Sequence, residues 1–236
     1  MPFASTNSAF WAGVRDSAPF VLVAGPFALL FGVLASEAGL NLTEVMAFSV
    51  VVIAGAAQFT ALQLMLEEAP TLIVIVSALA VNLRVAMYSA SLTPYLGQAP
   101  YWQRAFMAYL IVDQSYALSH AKFDADTSMT LPQRVAYFFA TCVLIIPSWF
   151  IGSYLGAALG TALPPSFPLD FALPIAFLSI IGPMLRTLPH LIAAFVGIVV
   201  SLLAAGLPYS LGLIVAGMAG MMAGAQAELW LKGKAP

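Results

Sequence analysis

Apolar residues run through this chain in long blocks, each near the length a lipid core demands, about 20 residues per helix. Eight blocks can be drawn: Ala18–Leu40, Val45–Leu66, Thr71–Leu96, Arg104–His120, Arg134–Gly160, Phe171–Leu185, Leu191–Gly206 and Tyr209–Leu229. The sixth is short, so a seven-span arrangement stands beside the eight-span one. Breaks fall where turn formers cluster, at Glu67-Glu68-Ala69-Pro70, Gly97-Gln98-Ala99-Pro100, the 124–133 stretch and Leu163-Pro164-Pro165. No soluble domain or low-complexity linker interrupts the pattern. It predicts an all-α fold, a polytopic integral membrane helix bundle in which residues 1–236 form a single transmembrane domain. The first ten residues carry no Lys or Arg and no small-residue cleavage site follows, so the first block reads as a retained span.

Composition agrees. Apolar residues make up 62% of the chain and charged ones only 8%, against roughly a quarter charged in ordinary soluble domains. The net charge of −2 gives nucleic acid nothing to bind. Cys142 is the single cysteine and lies inside an apolar block, which excludes a disulfide framework and predicts a buried, inert thiol.

The charges that remain orient the chain. With eight spans and an inside N-terminus, the inner segments hold Arg15, Lys122, Arg134, Arg186, Lys232 and Lys234, while the outer loops hold only Arg104. That bias places both termini in the cytoplasm. Two charges lie deep instead. Arg84 sits mid-way along the third block, and Asp113 midway between Arg104 and Lys122 in the fourth. A lone charge there costs about 3 kcal/mol on insertion scales, so each needs a partner or water. Opposite signs at matching depth on consecutive antiparallel spans point to an ion pair, direct or through a solute. Such a pair either locks two helices or lines a translocation path.

Other polar residues share that depth. Gln58 lies within Ala54-Gly55-Ala56-Ala57-Gln58-Phe59; Asn82 and Tyr88 flank Arg84; Gln114, Ser115 and Tyr116 follow Asp113. Each alone reads as interhelical glue, and together they outline a polar cavity. Prolines add interruptions: Gly25-Pro26 in the first block, Pro174 and Gly182-Pro183 in the sixth, each freeing a carbonyl one turn earlier. Ala24-Gly25-Pro26-Phe27-Ala28-Leu29-Leu30 echoes Ala172-Leu173-Pro174-Ile175-Ala176-Phe177-Leu178. Broken helices at corresponding places of two inverted halves mark a transporter site. Gly152, Gly156 and Gly160, and Gly220 and Gly224, repeat at the spacing of close helix packing, within the chain or against a second subunit. His120 and His190 sit at span ends, where they meet water rather than relay protons.

These residues carry a resemblance. Phe31-Gly32 with Glu37-Ala38-Gly39, the Ala54–Phe59 segment, Asn82-Leu83-Arg84 with Tyr88 and Ser91-Leu92, Pro94, Asp113 and Asp170-Phe171-Ala172-Leu173-Pro174 make the chain similar to the AzlC-type branched-chain amino acid permeases over most of its length. The resemblance implies an exporter of branched-chain and related amino acids that works with a small AzlD-type membrane subunit. Two positions depart from the family. Val85 stands where it tends to have His, and Gln114 where it tends to have Glu, so two groups able to carry protons are replaced.

The expected substrate-binding residues are therefore Arg84, Asp113, Gln58, Asn82, Tyr88, Gln114, Tyr116, Gly25, Pro26 and Pro174. Arg84 or a half-helix N-terminus would hold the carboxylate of an amino acid and Asp113 its ammonium. Apolar walls would take the side chain at about 0.8 kcal/mol per buried CH₂. No cofactor or metal is expected. An enzyme is disfavoured because no His-Glu-x-x-His pattern exists and the two histidines lie on different spans. A primary pump is disfavoured for want of a phosphate-cradling Gly-x-x-x-x-Gly-Lys. A passive channel and a structural membrane subunit remain as rivals.

Overall fold

The computed structural model describes residues 5–160, 185, 187–207 and 211–232, and among these every regular element is a helix. Contacts divide the chain into two compact units, residues 1–62 with 81–167, and 63–80 with 168–236. The expected sixth block, with Pro174 and Gly182-Pro183, lies outside the described residues. The second half of the echo, residues 172–178, lies outside them too.

The first unit opens with α1 (Thr6–Ser17), a 3-10 turn (Ala18–Phe20) and α2 (Val21–Glu37) in near-continuous file. Ser5 and Ser8 cap α1 reciprocally, and the left-handed backbone of Gly39, φ +87°, follows the end of α2. After it, Asn41 and Glu44 form a capping box that starts α3 (Leu42–Val51). There follow α4 (Gly55–Leu66), α5 (Thr71–Leu96), α6 (Tyr101–Leu110), α7 (Asp113–Ala125) and α8 (Leu131–Gly160). Four stretches are long and apolar enough to cross a membrane among the described residues: Thr6–Glu37, Thr71–Leu96, Leu131–Gly160 and Ile214–Leu231.

The expected break at Gly25-Pro26 is not there. Pro26 lies inside an uninterrupted α2, because one proline removes one hydrogen bond and a helix held along its flank bends rather than ends. The flank is α8, thirty residues and about 45 Å long. A methyl group at Gly152 would lie 2.7 Å from Ala28 Cβ and 2.8 Å from the Gly25 carbonyl oxygen, and one at Gly160 3.1 Å from Ser36 Cβ. The stripe Gly152, Gly156, Gly160 therefore packs within the chain. Partners rising together in number show α2 and α8 to be parallel.

The breaks fall instead in the second and fourth blocks, at residues 52–54 and at Ile111-Val112, and both blocks fold back. Phe27 faces Gly55 and Phe31 packs edge-on to Phe59 at 5.5 Å, so α4 runs parallel to α2. Tyr88 meets Asp113 and Ser91 meets Tyr116 at one constant separation of 25 residues, so α7 runs parallel to α5. Each unit of helix plus hairpin thus has one plan: a long helix, a short turn, a ten-residue half helix (α3 or α6) going in, an extended break, and a half helix (α4 or α7) coming out.

The two hairpins enter from opposite faces. Along α8, the C-terminal end of α7 lies at the start, with the Phe123 and Tyr137 rings 6.1 Å apart, and the α6 end lies at Cys142, whose Sγ is 3.7 Å from the Leu110 carbonyl. So α7, and with it α5, runs opposite to α8 and α2. The tip at Gly55 touches Trp149. Cys142 and Trp149 bracket the middle of α8, which puts both tips near mid-membrane. There they meet: the Tyr109 hydroxyl donates to the Val50 carbonyl at 2.6 Å.

This arrangement is an inverted repeat of α2–α4 with α5–α7. The β-branched run Val50-Val51-Val52-Ile53 and the pair Ile111-Val112 favour extended backbone at the breaks. The outgoing half helices open alike, Ala57-Gln58-Phe59-Thr60-Ala61-Leu62 against Asp113-Gln114-Ser115-Tyr116-Ala117-Leu118. It moves Arg104 as well. Its guanidinium reaches the Gly97 carbonyl, on the face that also holds Arg15, Lys122 and Arg134. The turn at Gln98 and the turn at Thr127 share that face. With Cys142→Ala as background, Gln98→Cys and Thr127→Cys are expected to label with an impermeant thiol reagent from the same side as Asn7→Cys, and Glu37→Cys from the other. Eight full crossings would put Gln98 and Thr127 on opposite sides.

In the second unit, α9 (Leu188–Leu203) and α10 (Leu211–Lys232) pack antiparallel. A methyl at Gly220 would lie 2.8 Å from the Ala193 carbonyl oxygen and one at Gly224 2.9 Å from Ala193 Cβ. These glycines too are internal contacts.

Candidate functional site

The second tip places a charge pair at mid-depth. Asp113 is the first residue of α7, where the unsatisfied N–H groups of the helix start favour a carboxylate. Arg84 Nη2 lies 3.2 Å from Asp113 Oδ2, each side chain about a third uncovered (35% and 36%). The Tyr88 hydroxyl, one turn along α5, donates to Asp113 Oδ1 at 3.0 Å. The ion pair is therefore direct. It forms between parallel helices rather than the antiparallel spans expected, because the fourth block turns back at Ile111-Val112.

The break that presents Asp113 is held by Ser115. Val112 is extended (φ −125°, ψ 166°), and its N–H donates to Ser115 Oγ at 3.0 Å. The same hydroxyl lies 3.0 Å from the Val112 carbonyl and 3.4 Å from that of Leu110. The Cys142 thiol also faces Leu110. In lipid no water can replace these bonds. Ser115→Ala is expected to destabilise the protein by about 1–3 kcal/mol, the cost of a buried group left unsatisfied. Thermal unfolding followed by circular dichroism in detergent checks it.

Of the other expected residues, Tyr116 stacks on Tyr88, ring centroids 4.1 Å apart and planes 8° from parallel, and its hydroxyl bonds Ser91 Oγ at 3.3 Å. Gln114 is half-buried beside Asp113. Gln58, fully buried in the first turn of the other tip, donates to Ser49 Oγ at 3.3 Å. Gln58 Oε1, Asn82 Oδ1 and Arg84 Nε are buried without a partner among the described residues. The structure thus gathers Arg84, Asp113, Tyr88 and Tyr116 into one cluster. Gly25 and Pro26 stand apart from it: the Gly25 carbonyl faces Gly152 in the α2–α8 seam. Pro174 lies outside the described residues.

His120 lies near the end of α7, a third of its side chain uncovered, as a group that meets water does. The structure adds partners, with Nδ1 3.2 Å from Asp124 Oδ2 and the ring edge-on to Tyr95 at 5.8 Å. Tyr95 in turn bonds Asp124. The sequence signal was the i, i+4 pair His120 and Asp124 on one helix.

No groups of three or more His, Cys, Asp or Glu able to hold a metal ion occur among the described residues. Comparison with known proteins supplies the family context. The AzlC protein family model matches residues 19–163, more than half of the chain. The inner membrane protein YgaZ of Escherichia coli strain K12 is 28% identical over 117 residues, 49% of this chain and 48% of that protein. The match thus spans about half the length of that curated relative. No solved structure matches.

Proposed function

The chain belongs to the AzlC family, and on that premise we propose that it is a secondary carrier exporting branched-chain or related small apolar amino acids across the bacterial inner membrane. The observation that carries the reading is the Arg84–Asp113 pair at a half-helix start in mid-membrane, uncovered over a third of each side chain. A zwitterion matches it charge for charge: its carboxylate takes Arg84 and the free N–H groups at the start of α7, its ammonium takes Asp113. Buried Gln58, Asn82 and Arg84 atoms with no partner among the described residues offer further hydrogen-bonding positions. The inverted hairpins fit alternating access about a fixed central site.

The remaining assignments follow from the same reading. The face with Arg15, Arg104, Lys122 and Arg134 is cytoplasmic by the positive-inside bias, which brings the N-terminus inside, and Lys232 and Lys234 place the C-terminus inside by the same sequence rule. A small AzlD-type subunit is the partner that family resemblance supplies, and the bilayer is the solvent of the exposed apolar faces. No nucleic acid takes part. Two hairpins meeting from opposite faces would also suit a passive channel. Labelled-leucine counterflow in proteoliposomes, with and without the small subunit, decides between them. A carrier gives saturable, trans-stimulated exchange. A channel gives flux without trans-stimulation, and absence of flux for every amino acid tried, with folding verified, would leave a structural subunit.

A further inference from the structure

The seam between α5 and α7 carries polar side chains at every turn from mid-membrane to one face. On α5 they are Arg84, Tyr88, Ser91 and Tyr95; on α7, Asp113, Tyr116, His120 and Asp124. Their bonds run in order. Tyr88 donates to Asp113 at 3.0 Å; Tyr88 stacks on Tyr116 at 4.1 Å; Tyr116 and Ser91 hydroxyls lie 3.3 Å apart. The Tyr116 and His120 rings are 5.5 Å apart, His120 pairs with Asp124 at 3.2 Å, and Tyr95 closes on Asp124.

The repeat provides an internal control. The equivalent seam between α2 and α4 is built from Phe27 against Phe59 at 4.6 Å and Phe31 against Phe59 at 5.5 Å. Aromatic, apolar packing therefore suffices to hold a long helix to its outgoing half helix in this fold. The polar ladder on the second seam is surplus to that need, and polar groups inside a membrane are costly unless used.

We propose that this ladder is a proton path joining Asp113 to the face that holds Arg134, with His120–Asp124 as its exchange site with bulk water. Resting on the carrier reading above, it supplies the coupling step. The Asp113 carboxyl gives up its proton as the carboxylate re-forms the pair with Arg84. The proton passes along the hydroxyls of Tyr88, Tyr116 and Ser91, each accepting one proton on a lone pair and releasing its own, so no tyrosinate forms. The rings themselves are in contact, so the path would need one water joining the Tyr88 and Tyr116 hydroxyls at the edge of the stack and one between Tyr116 and His120. Histidine is the side chain suited to exchange a proton near neutral pH, and Asp124 holds it in place. The groups facing His120 are Tyr95 of α5, with Arg134 of α8 over that ring at 5.5 Å, and Tyr116 and Asp124 of its own helix; Arg84, Tyr88 and Tyr116 face Asp113. Lys122 points away, over Tyr137.

The test uses proteoliposomes loaded with a pH-sensitive dye, in which a leucine gradient drives proton movement. In His120→Ala and Asp124→Asn, protons moved per leucine are expected to fall at least tenfold, with leucine–leucine counterflow within twofold of the unaltered protein. Tyr95→Phe is expected to fall between. An unchanged proton-to-leucine ratio in both variants, with counterflow intact, overturns the proton path and leaves the carrier. Loss of counterflow in the unaltered protein overturns the amino acid reading instead. The path then has a leucine-independent readout: the Asp113 carboxyl stretch after a pH jump, assigned by its absence in Asp113→Asn. A tenfold slower rise in His120→Ala supports the path, and an equal rate overturns it.

Discussion

Asp113→Asn and Arg84→Ala should each cut labelled-leucine counterflow at least 100-fold while the protein still folds and inserts, as gel filtration and circular dichroism would show. The figure corresponds to about 2.7 kcal/mol, within the range for removing one partner of a charge-assisted bond. Asp113→Asn strips Arg84 of its ion pair and leaves Tyr88 only a neutral amide oxygen to donate to; Arg84 Nε has no partner among the described residues. Two roles for the pair would give the same single-variant result, since a structural lock fails as surely as a binding site. The exchanged variant, Arg84→Asp with Asp113→Arg, separates them. It restores attraction between α5 and α7, so a lock would regain function. As a binding site it should stay inactive, because the cation then stands at the first residue of α7, against the positive end of the helix. Counterflow recovering to within tenfold in the exchanged variant would reduce the pair to a lock.

What the sequence disclosed of this site follows from what lipid makes costly. Arg84 and Asp113 stood out because charge within an apolar block requires a reason, and the structure brings them to 3.2 Å. The direction of α7 was not legible, because a block of apolar residues has the same composition whether it crosses or returns. The signals that mark the return are small. They are a β-branched run ending at Ile53, a second at Ile111-Val112, and a shared Ala-Leu after Gln58 and Gln114. Gly25-Pro26 drew attention and proved an ordinary interior of α2, since proline chemistry acts on one hydrogen bond and the α8 flank holds the rest. The Tyr95 contact of His120 was not legible, because only the fold-back aligns the two. Within the first unit the charge pattern became simpler: Arg104, the exception under eight crossings, joins Arg15, Lys122 and Arg134 once the fourth block doubles back.

Gly156→Leu should leave no folded protein. A Cβ there already falls against the Leu29 carbonyl and lies 3.0 Å from Gly32 Cα. Both are backbone, so no side chain can turn aside, and α2 and α8 would have to part. Their separation undoes more than one contact. Phe27 and Phe31 of α2 pack with Trp149 of α8 at 5.8 and 6.2 Å and hold the first hairpin through Phe59. Gly156→Ala brings the same Cβ against the same backbone and should cost more than the usual overpacking penalty of about 1–3 kcal/mol. Gly25 is the matched comparison: a methyl there meets nothing within 4 Å among the described residues, and Gly25→Ala should be neutral or slightly stabilising through helix propensity. Cys142 supplies the readout, as the single thiol, buried in the folded state. A thiol-reactive dye reports its exposure on heating. Equal melting temperatures for Gly25→Ala and Gly156→Ala would mean that α2 and α8 are not held by backbone contact along this stripe.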